Sequence, residues 1–391
     1  MDVSRGYKQT EVGAIPDDWE LKRLGQLAEF TTSGSRGWAA FYSETGALFI
    51  RSQNVRQGTL NFDDTQNVCP PSGAEGNRTK VKRNDLLITI TGNSVGNIAL
   101  VNQEFSEAYI SQHVGLVRLL QPEMGRYIAC FLSPHSPGNH QIAGSQSGQS
   151  KPGLNLQNLR DFWIALPPTE VEQRAIAAAL SDADSLLDGL DRLIAKKRDL
   201  KQAAMQQLLT GRTRLPGFHG EWAVKRLGEA LSIRHGKNQH GVEALDGMYP
   251  ILATGGQIGR ASKPIYDKPS VLIGRKGTIN RPQYMDTPFW TVDTLFYSEM
   301  VGTNNARFFF YLFCTIDWMQ FNEASGVPSL NARTIENVER RYPGPGEQTA
   351  IAAALADMDA EIAAFEARLN KTHSLKQAMM QELLTGRTRL A

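Results

Sequence analysis

The sequence has few cysteines and no long hydrophobic run, and both absences exclude classes of protein. Its three cysteines, Cys69, Cys130 and Cys314, are widely separated and odd in number, so they form neither a disulfide framework nor a zinc-ligand pattern. No apolar run is longer than that at residues 308–314, which is far shorter than the roughly 20 residues that a transmembrane helix needs. The first residues also lack the apolar segment of a secretory signal. We therefore expect a cytoplasmic protein with no membrane partner.

An excess of charge of either sign is also absent. The 391 residues include 42 Lys and Arg against 40 Asp and Glu, which gives a net charge of +2. Bulk charge therefore does not imply a nucleic-acid partner, which would need local basic clusters or basic partner subunits. An apolar content of 41% is typical of a globular protein, and the length allows two or three domains, each with its own core.

Patterns of catalytic residues are missing or incomplete. The glycine-rich segments 255–259 and 274–278 lack the spacing of a phosphate-binding loop or a dinucleotide fingerprint. Asp17 and Glu20 stand too close in sequence to surround a nuclease metal ion, and segment 69–72 lacks the flanking residues of an adenine methyltransferase motif. The seven histidines show no metal-ligand spacing. We expect no active site, metal or cofactor in this chain.

What the sequence does contain is a long internal repeat. Residues 172–215 recur as residues 347–390 without insertion or deletion, and 25 of the 44 aligned positions are identical. Each copy follows a proline cluster and has the pattern of a long amphipathic helix. The predicted organisation is a first domain (1–168), a central helix (169–212), a second domain (213–343) and a C-terminal helix (344–391), with pseudo-two-fold symmetry.

Apolar residues recur in each helix with alternating spacings of four and three, which is the 3.5-residue period of a coiled-coil seam. We expect the two helices to pack on each other as an antiparallel pair. In the alternative arrangement, each helix packs on its own neighbouring domain. The predicted seam residues are Ile176, Leu180, Leu187, Leu190, Ile194, Ile351, Leu355, Ile362, Phe365 and Leu369.

The two globular segments mix short β patterns with one or two helices each, so the fold class is predicted as α+β. Their polar loops are rich in Arg and Lys, which suit guanine, and in Asn and Gln, which suit adenine. In the alternative interpretation these are ordinary polar loops. The candidate DNA-contacting residues are Arg36, Arg51, Gln53, Asn54, Asn93, Gln112 and Lys151 in the first domain and Lys237, Asn238, Arg275, Lys276 and Asn280 in the second.

Three motifs support a family resemblance. They are LPPTEVEQRAIA at residues 166–177 with its second copy, the two LLTGRTRL endings, and IGRKGT at residues 273–278. With these motifs the chain resembles the specificity subunits of type I restriction-modification systems. The second copy begins PGPGEQ at residues 343–348, where the family usually has two adjacent prolines, and this departure should alter only the start of the helix.

The resemblance implies a non-catalytic protein whose two recognition domains each read one half of a split, asymmetric site on double-stranded DNA. It also implies two methyltransferase subunits, which bind S-adenosylmethionine and dock on the helices, and restriction subunits that use ATP and Mg²⁺. The residues alone leave two alternatives open. One is a stand-alone protein-interaction scaffold with no DNA role, and the other is an enzyme with an unrecognised site.

Overall fold

The structure, a computed structural model that describes residues 5–70, 73–145 and 153–390, consists of two units. The first unit comprises Met1–Leu190 and Arg368–Ala391, and the second comprises Asp191–Ala367. Both boundaries fall inside long helices, so each long helix contributes residues to both units. Strands and helices are mixed in each unit, which confirms the predicted α+β class.

The first unit contains twelve strands among the described residues. They are β1 (Tyr7–Thr10), β2 (Gly13–Pro16), β3 (Glu20–Arg23), β4 (Ala28–Ser33), β5 (Tyr42–Ser43), β6 (Ala47–Ile50), β7 (Asn67–Val68), β8 (Leu86–Thr89), β9 (Ile98–Leu100), β10 (Ala108–Ile110), β11 (Val114–Leu119) and β12 (Trp163–Leu166). Its helices are α1 (Leu24–Leu27), α2 (Ala74–Thr79), α3 (Gly125–Leu132), α4 (His140–Ser145), α5 (Leu156–Asp161) and the first part of α6 (Glu170–Leu208).

The second unit repeats much of this order. Its strands are β13 (Val224–Arg226), β14 (Leu231–His235), β15 (Tyr249–Ala253), β16 (Gly256–Ala261), β17 (Ser270–Gly274), β18 (Gln283–Met285), β19 (Trp290–Thr291), β20 (Leu295–Met300) and β21 (Glu339–Arg341). Its helices are the remaining part of α6, α7 (Ala306–Cys314), α8 (Ala332–Asn337) and most of α9 (Pro345–Leu383), which ends in the first unit.

The main sheets of the two units have the same topology. The first has the strand order β4-β11-β8-β9 and the second has β14-β20-β17-β18, and all their neighbours are antiparallel. A smaller sheet in each unit contains one parallel pair, β6 with β10 and β15 with β19. The internal repeat therefore extends from the long helices to the sheets.

A short apolar helix covers each main sheet and connects it to the long helices. In the first unit α3 buries Tyr127 and Phe131 in a core that also contains Ile176 of α6 and Leu383 of α9. In the second unit α7 packs in a core with Ile351 and Leu355 of α9. The ends of both long helices therefore lie in the domain cores. This packing is favourable because it removes their apolar faces from water.

Ion pairs also join the two long helices to each other within each unit. In the second unit Lys197 of α6 pairs with Glu361 of α9 at 2.6 Å, and Lys201, farther along α6, pairs with Asp359, which is earlier in α9. In the first unit Lys376 pairs with Asp184. Partner numbers fall along α9 as residue numbers rise along α6, so the helices run antiparallel. Coiled-coil packing of the predicted seam stays a prediction.

Two further ion pairs lie where one helix begins and the other copy of the repeat ends; we call them the terminal pairs. The first terminal pair joins Glu172 to Arg389, with Nε to Oε1 at 2.5 Å and Nη2 to Oε2 at 2.8 Å. The second joins Glu347 to Arg214, with Nε to Oε1 and Nη2 to Oε2 both at 2.6 Å. Each arginine belongs to an LLTGRTRL ending, so these repeated endings bind the helix start of the opposite copy.

Candidate functional site

Polar loops meet at one end of each main sheet, around a β-turn with the same hydrogen bonds in both units. The first tip turn is residues 111–114, closed by the amide of Val114 donating to the carbonyl of Ser111 at 3.0 Å. The second tip turn is residues 292–295, closed by Leu295 donating to Val292, also at 3.0 Å. The central residues of these turns are Gln112 with His113 and Asp293 with Thr294.

Neighbouring strands anchor each tip turn in the same way. The carbonyl of His113 accepts from the amide of Ile90 at 2.9 Å, and the carbonyl of Thr294 accepts from the amide of Arg275 at 2.8 Å. The amide of Ser111 donates to Ile50 at the end of β6 at 2.9 Å. The loops after β4, β6 and β8 in the first unit therefore lie beside the first tip turn, and we call this end of each sheet the loop edge.

A glycine allows the closest approach at each loop edge. A Cβ atom added to Gly34, just after β4, would lie 2.3 Å from the carbonyl oxygen of Ile110. One added to Gly236, just after β14, would lie 2.0 Å from the carbonyl oxygen of Val292. Both distances are well below van der Waals contact, so any larger residue would push the loop away from the tip turn.

Three of the predicted first-domain residues, Arg36, Asn93 and Gln112, are exposed at this loop edge. The Gln112 side chain lies against His113, with its Nε2 atom 3.1 Å from the Nε2 atom of the imidazole, and the imidazole Nδ1 atom contacts the hydroxyl of Thr91. This chain of contacts restricts the orientation of the Gln112 carboxamide.

The loop after β6 holds Arg51, Gln53 and Asn54 in different environments. Arg51 pairs with Asp64, its Nη2 atom 3.0 Å from Oδ1, and Gln53 is exposed but also donates to Asp64. Asn54 is only 2% exposed, and its amide donates to the carbonyls of Asn61 and Asp64 at 2.9 and 2.8 Å. The structure therefore places Asn54 inside the loop as a positioning residue, and its side chain does not face solvent.

The second-domain candidates all follow β14 or β17. Lys237, Asn238, Lys276 and Asn280 are exposed, and Arg275 is partly buried. The backbone of Lys237 is fixed at both sides, because its amide donates to Thr291 at 2.9 Å and its carbonyl accepts from the Trp290 indole at 2.9 Å. The Arg275 guanidinium donates to the carbonyl of Asp293 at 3.2 Å.

The remaining predicted residues divide as follows. Lys151 lies outside the described residues. Among the seam candidates, Ile176 and Leu180 belong to the core of the first unit and Ile351 and Leu355 to that of the second. The others are buried (Leu187, Leu190, Ile194, Ile362) or partly buried (Phe365, Leu369).

Sequence reasoning missed Arg78 and Asp293 at the loop edges. Arg78, on α2, donates to the carbonyl of Ser33 at 2.7 Å and to the hydroxyl of Ser35 at 2.5 Å, so it fixes the segment after β4. Asp293 is exposed, and the loops that hold Lys237 and Arg275 are hydrogen-bonded to the backbone on either side of it, at Thr291 and Thr294. Aligning the strands of the two halves would have paired Asp293 with Gln112, whereas nothing in the local sequence marks Arg78.

Residues 5–70, 73–145 and 153–390 lack two further features, a cluster of metal ligands and a membrane-spanning helix. No group of three His, Cys, Asp or Glu side chains in these ranges could hold a metal ion. In the same part of the chain, no helix combines the length and the apolar character needed to cross a membrane.

Comparison with known proteins identifies the family. The family model described as "Type I restriction modification DNA specificity domain" matches residues 16–196 and 219–372, most of the chain. The chain belongs to this family. It is a DNA-recognition subunit of a type I restriction-modification system, which confirms the predicted family and function over the scaffold without a DNA role.

Individual relatives in the specificity family match nearly the whole chain. A Methanocaldococcus jannaschii protein assigned as the specificity subunit of the type I restriction enzyme MjaX is 22% identical, over 98% of this chain and 97% of its own. The crystal structure of the S subunit from M. genitalium superposes with a TM-score of 0.65 at 16% identity, covering 98% of both chains. A chain from a structural study of complex assembly in the type I system has a TM-score of 0.55 at 18% identity. The match covers 96% of this chain and 99% of that chain.

Proposed function

We propose that the loop edge of each unit contacts the bases of one half of a split DNA target. The observation that supports this most directly is the repeated tip turn, which brings exposed polar side chains from separate loops to the same end of both sheets. The proposed contact residues are Arg36, Arg51, Gln53, Asn93, Gln112 and Lys151 for one half-site and Lys237, Asn238, Arg275, Lys276 and Asn280 for the other. Asn54 positions its loop.

The chemistry of these side chains suits both parts of a DNA contact. Arginine and lysine bind phosphates and the acceptor atoms of guanine, and asparagine and glutamine match the donor and acceptor of adenine. In the second unit Lys237 and Lys276 are exposed cations at the loop edge. Their local concentration supplies the attraction for DNA that the net charge of +2 does not.

The long helices are the proposed binding surface for two methyltransferase subunits, because the same helical element occurs twice. Restriction subunits join that complex. S-adenosylmethionine, ATP and Mg²⁺ belong to these partners, and this chain contributes no active site of its own. The complex acts in the cytoplasm, in keeping with three cysteines that form no disulfide framework.

The test is the pattern of sequence preference after one substitution. Arg275→Ala should relax the preference at one base of one half-site and leave the other half-site unchanged. The measurement is enrichment of sequences from a randomised duplex pool by the complex of the full chain with its methyltransferase subunits. Lys263→Ala is the control, since Lys263 is an exposed cation that follows β16, away from the loop edge. Equal losses at both half-sites would contradict independent recognition by the two units.

A further inference from the structure

The two tip turns have the same backbone frame but place different functional groups at the same position. Gln112 and Asp293 are each the second residue of their tip turn. Gln112 lies two residues before the start of β11, and Asp293 lies two residues before the start of β20. The strand pairing agrees with this equivalence, because Val114 pairs with Thr89 at the end of β8 and Leu295 pairs with Gly274 at the end of β17. Both side chains are exposed.

The chemistry of the two side chains differs in a way that matters for base recognition. A glutamine carboxamide offers a donor and an acceptor, which matches the N7 and N6 atoms of adenine in the major groove. An aspartate carboxylate offers only acceptors, which match the N4 amino group of cytosine. We propose that this turn position determines one base in each half-site, with Gln112 selecting adenine and Asp293 selecting cytosine. This inference rests on the proposed function of the loop edges.

The surroundings of Gln112 orient it for such a contact. If the carboxamide donates one hydrogen to the Nε2 atom of His113, the Nδ1 atom of that ring carries its proton and donates to the hydroxyl of Thr91. The carboxamide then keeps its oxygen and one N–H free, which is the pair that adenine requires. His113 and Thr91 are therefore positioning residues for Gln112.

Asp293 is positioned differently. Its backbone carbonyl accepts from the Arg275 guanidinium at 3.2 Å, while its carboxylate makes no ion pair or hydrogen bond with the described part of the chain. The loops that hold Lys237, Arg275 and Lys276 are hydrogen-bonded to the backbone on either side of it, at Thr291 and Thr294. These cations reduce the repulsion between a carboxylate and the phosphates, so an acceptor at this position is compatible with DNA.

Near-isosteric substitutions test the inference without disturbing the turns. Gln112→Glu should replace the adenine preference at one position of one half-site with a cytosine preference. Asp293→Asn should make the opposite change at one position of the other half-site. Each change in preference should be roughly tenfold or more, as expected for a good base contact. The readout is enrichment from a randomised duplex pool by the full chain in complex with its methyltransferase subunits, with thermal unfolding measured for each variant.

Matched controls make the same chemical changes at the opposite ends of the sheets. Gln103 follows β9 and Asp246 precedes β15, and both residues are exposed. Neither Gln103→Glu nor Asp246→Asn should alter the enriched sequence. His113→Ala should weaken the base preference at the Gln112 position alone, which a purely structural role would not do.

The possible outcomes separate this inference from the proposed function. A wild-type complex that enriches a split target, while both turn variants enrich the same target, would overturn the inference and leave the loop edges as the DNA surface. Turn variants that blur both half-sites equally would also overturn it. A wild-type complex that enriches no split sequence would overturn the proposed function and, with it, the inference.

Discussion

Arg389 and Glu172 are 217 residues apart in sequence and are joined by two hydrogen bonds of 2.5 and 2.8 Å. Asp18 adds a second carboxylate, with an oxygen 3.0 Å from the same guanidinium. The hydrogen bond with Glu172 is the largest cause that raises the pKa of Arg389. The end of the second repeat is therefore fixed to the start of the first, inside the first unit.

Removing this arginine should destabilise the first unit. Arg389→Ala leaves the Glu172 carboxylate, whose side chain is 6% exposed, without its cation. We expect the free energy of opening in this region to fall by about 1–3 kcal/mol, measured by amide hydrogen exchange in segments 172–180 and 380–390. Arg387→Ala is the matched control, because Arg387 is an exposed arginine whose contact with Glu382 is 3.8 Å long. Its effect should stay below about 0.5 kcal/mol, and equal effects of the two variants would contradict the assigned role.

Gly236→Ala should separate the loop after β14 from the second tip turn, since the added Cβ would lie 2.0 Å from the Val292 oxygen. We expect a loss of about 1–3 kcal/mol of stability, as for other overpacked sites, together with weaker DNA binding. Thermal unfolding and a gel-shift with target duplex measure the two effects. Gly326→Ala serves as the comparison for stability, because a Cβ at Gly326 would meet nothing within 4 Å. An unchanged unfolding midpoint for Gly236→Ala would show that the close approach is not needed.

Adjacent residues in the loop after β6 should respond in opposite ways. Asn54→Ala removes the hydrogen bonds to the carbonyls of Asn61 and Asp64 and the one that the Asn54 side chain accepts from the Arg51 amide. It should cost about 1–3 kcal/mol, because the Asn61 carbonyl and the Arg51 amide lose these partners. Gln53→Ala should leave stability within about 0.5 kcal/mol and alter DNA affinity instead. Chemical denaturation and duplex binding, measured on both variants, distinguish the two roles. The roles would be reversed if Gln53→Ala destabilised the chain more than Asn54→Ala did.

The reactivity of Cys314 should depend steeply on pH. Although Cys314 is exposed at the surface, desolvation by the surrounding protein raises the pKa of its thiol to about 11, with Lys201 opposing the shift. The same residue borders a groove of about 800 Å³ beside Lys201 and Asp359, so a small reagent can reach it. Only the thiolate reacts, so alkylation by iodoacetamide should accelerate about tenfold per pH unit from pH 8 to pH 10. Peptide mass spectrometry with Cys314→Ser as the control measures the rate, and a plateau below pH 9 would contradict the raised pKa.

The long helices could be predicted from sequence because periodicity and repetition are local properties. The predicted ranges 169–212 and 344–391 contain helices observed at Glu170–Leu208 and Pro345–Leu383. The residues after each helix were harder to interpret. Their partners, such as Glu172 for Arg389, lie in the other copy of the repeat. A helix of 39 residues is about 58 Å long, which excludes pairing within one copy, but the sequence does not show which acidic residue near the start of the other helix binds the arginine.

The candidate site was predictable as a set of loops but not residue by residue. Asparagine uses the same amide to bind a base or to fix a loop, so Asn54 and Asn93 look equivalent in sequence, although one is buried and the other exposed. Asp293 was overlooked because a carboxylate disfavours phosphate contact, and only its place in the second tip turn brings it to the loop edge.

The contribution of α9 to the first unit has a consequence for biosynthesis. The first core includes Met380, Leu383 and Leu384, which are translated about 190 residues after the rest of that unit ends at Leu190. At about 5–20 residues per second, the ribosome needs roughly 10–40 s to add them. The second unit is fully synthesised once the ribosome has added Ala367. The first unit begins to leave the ribosome earlier, but its core can be completed only after that of the second unit.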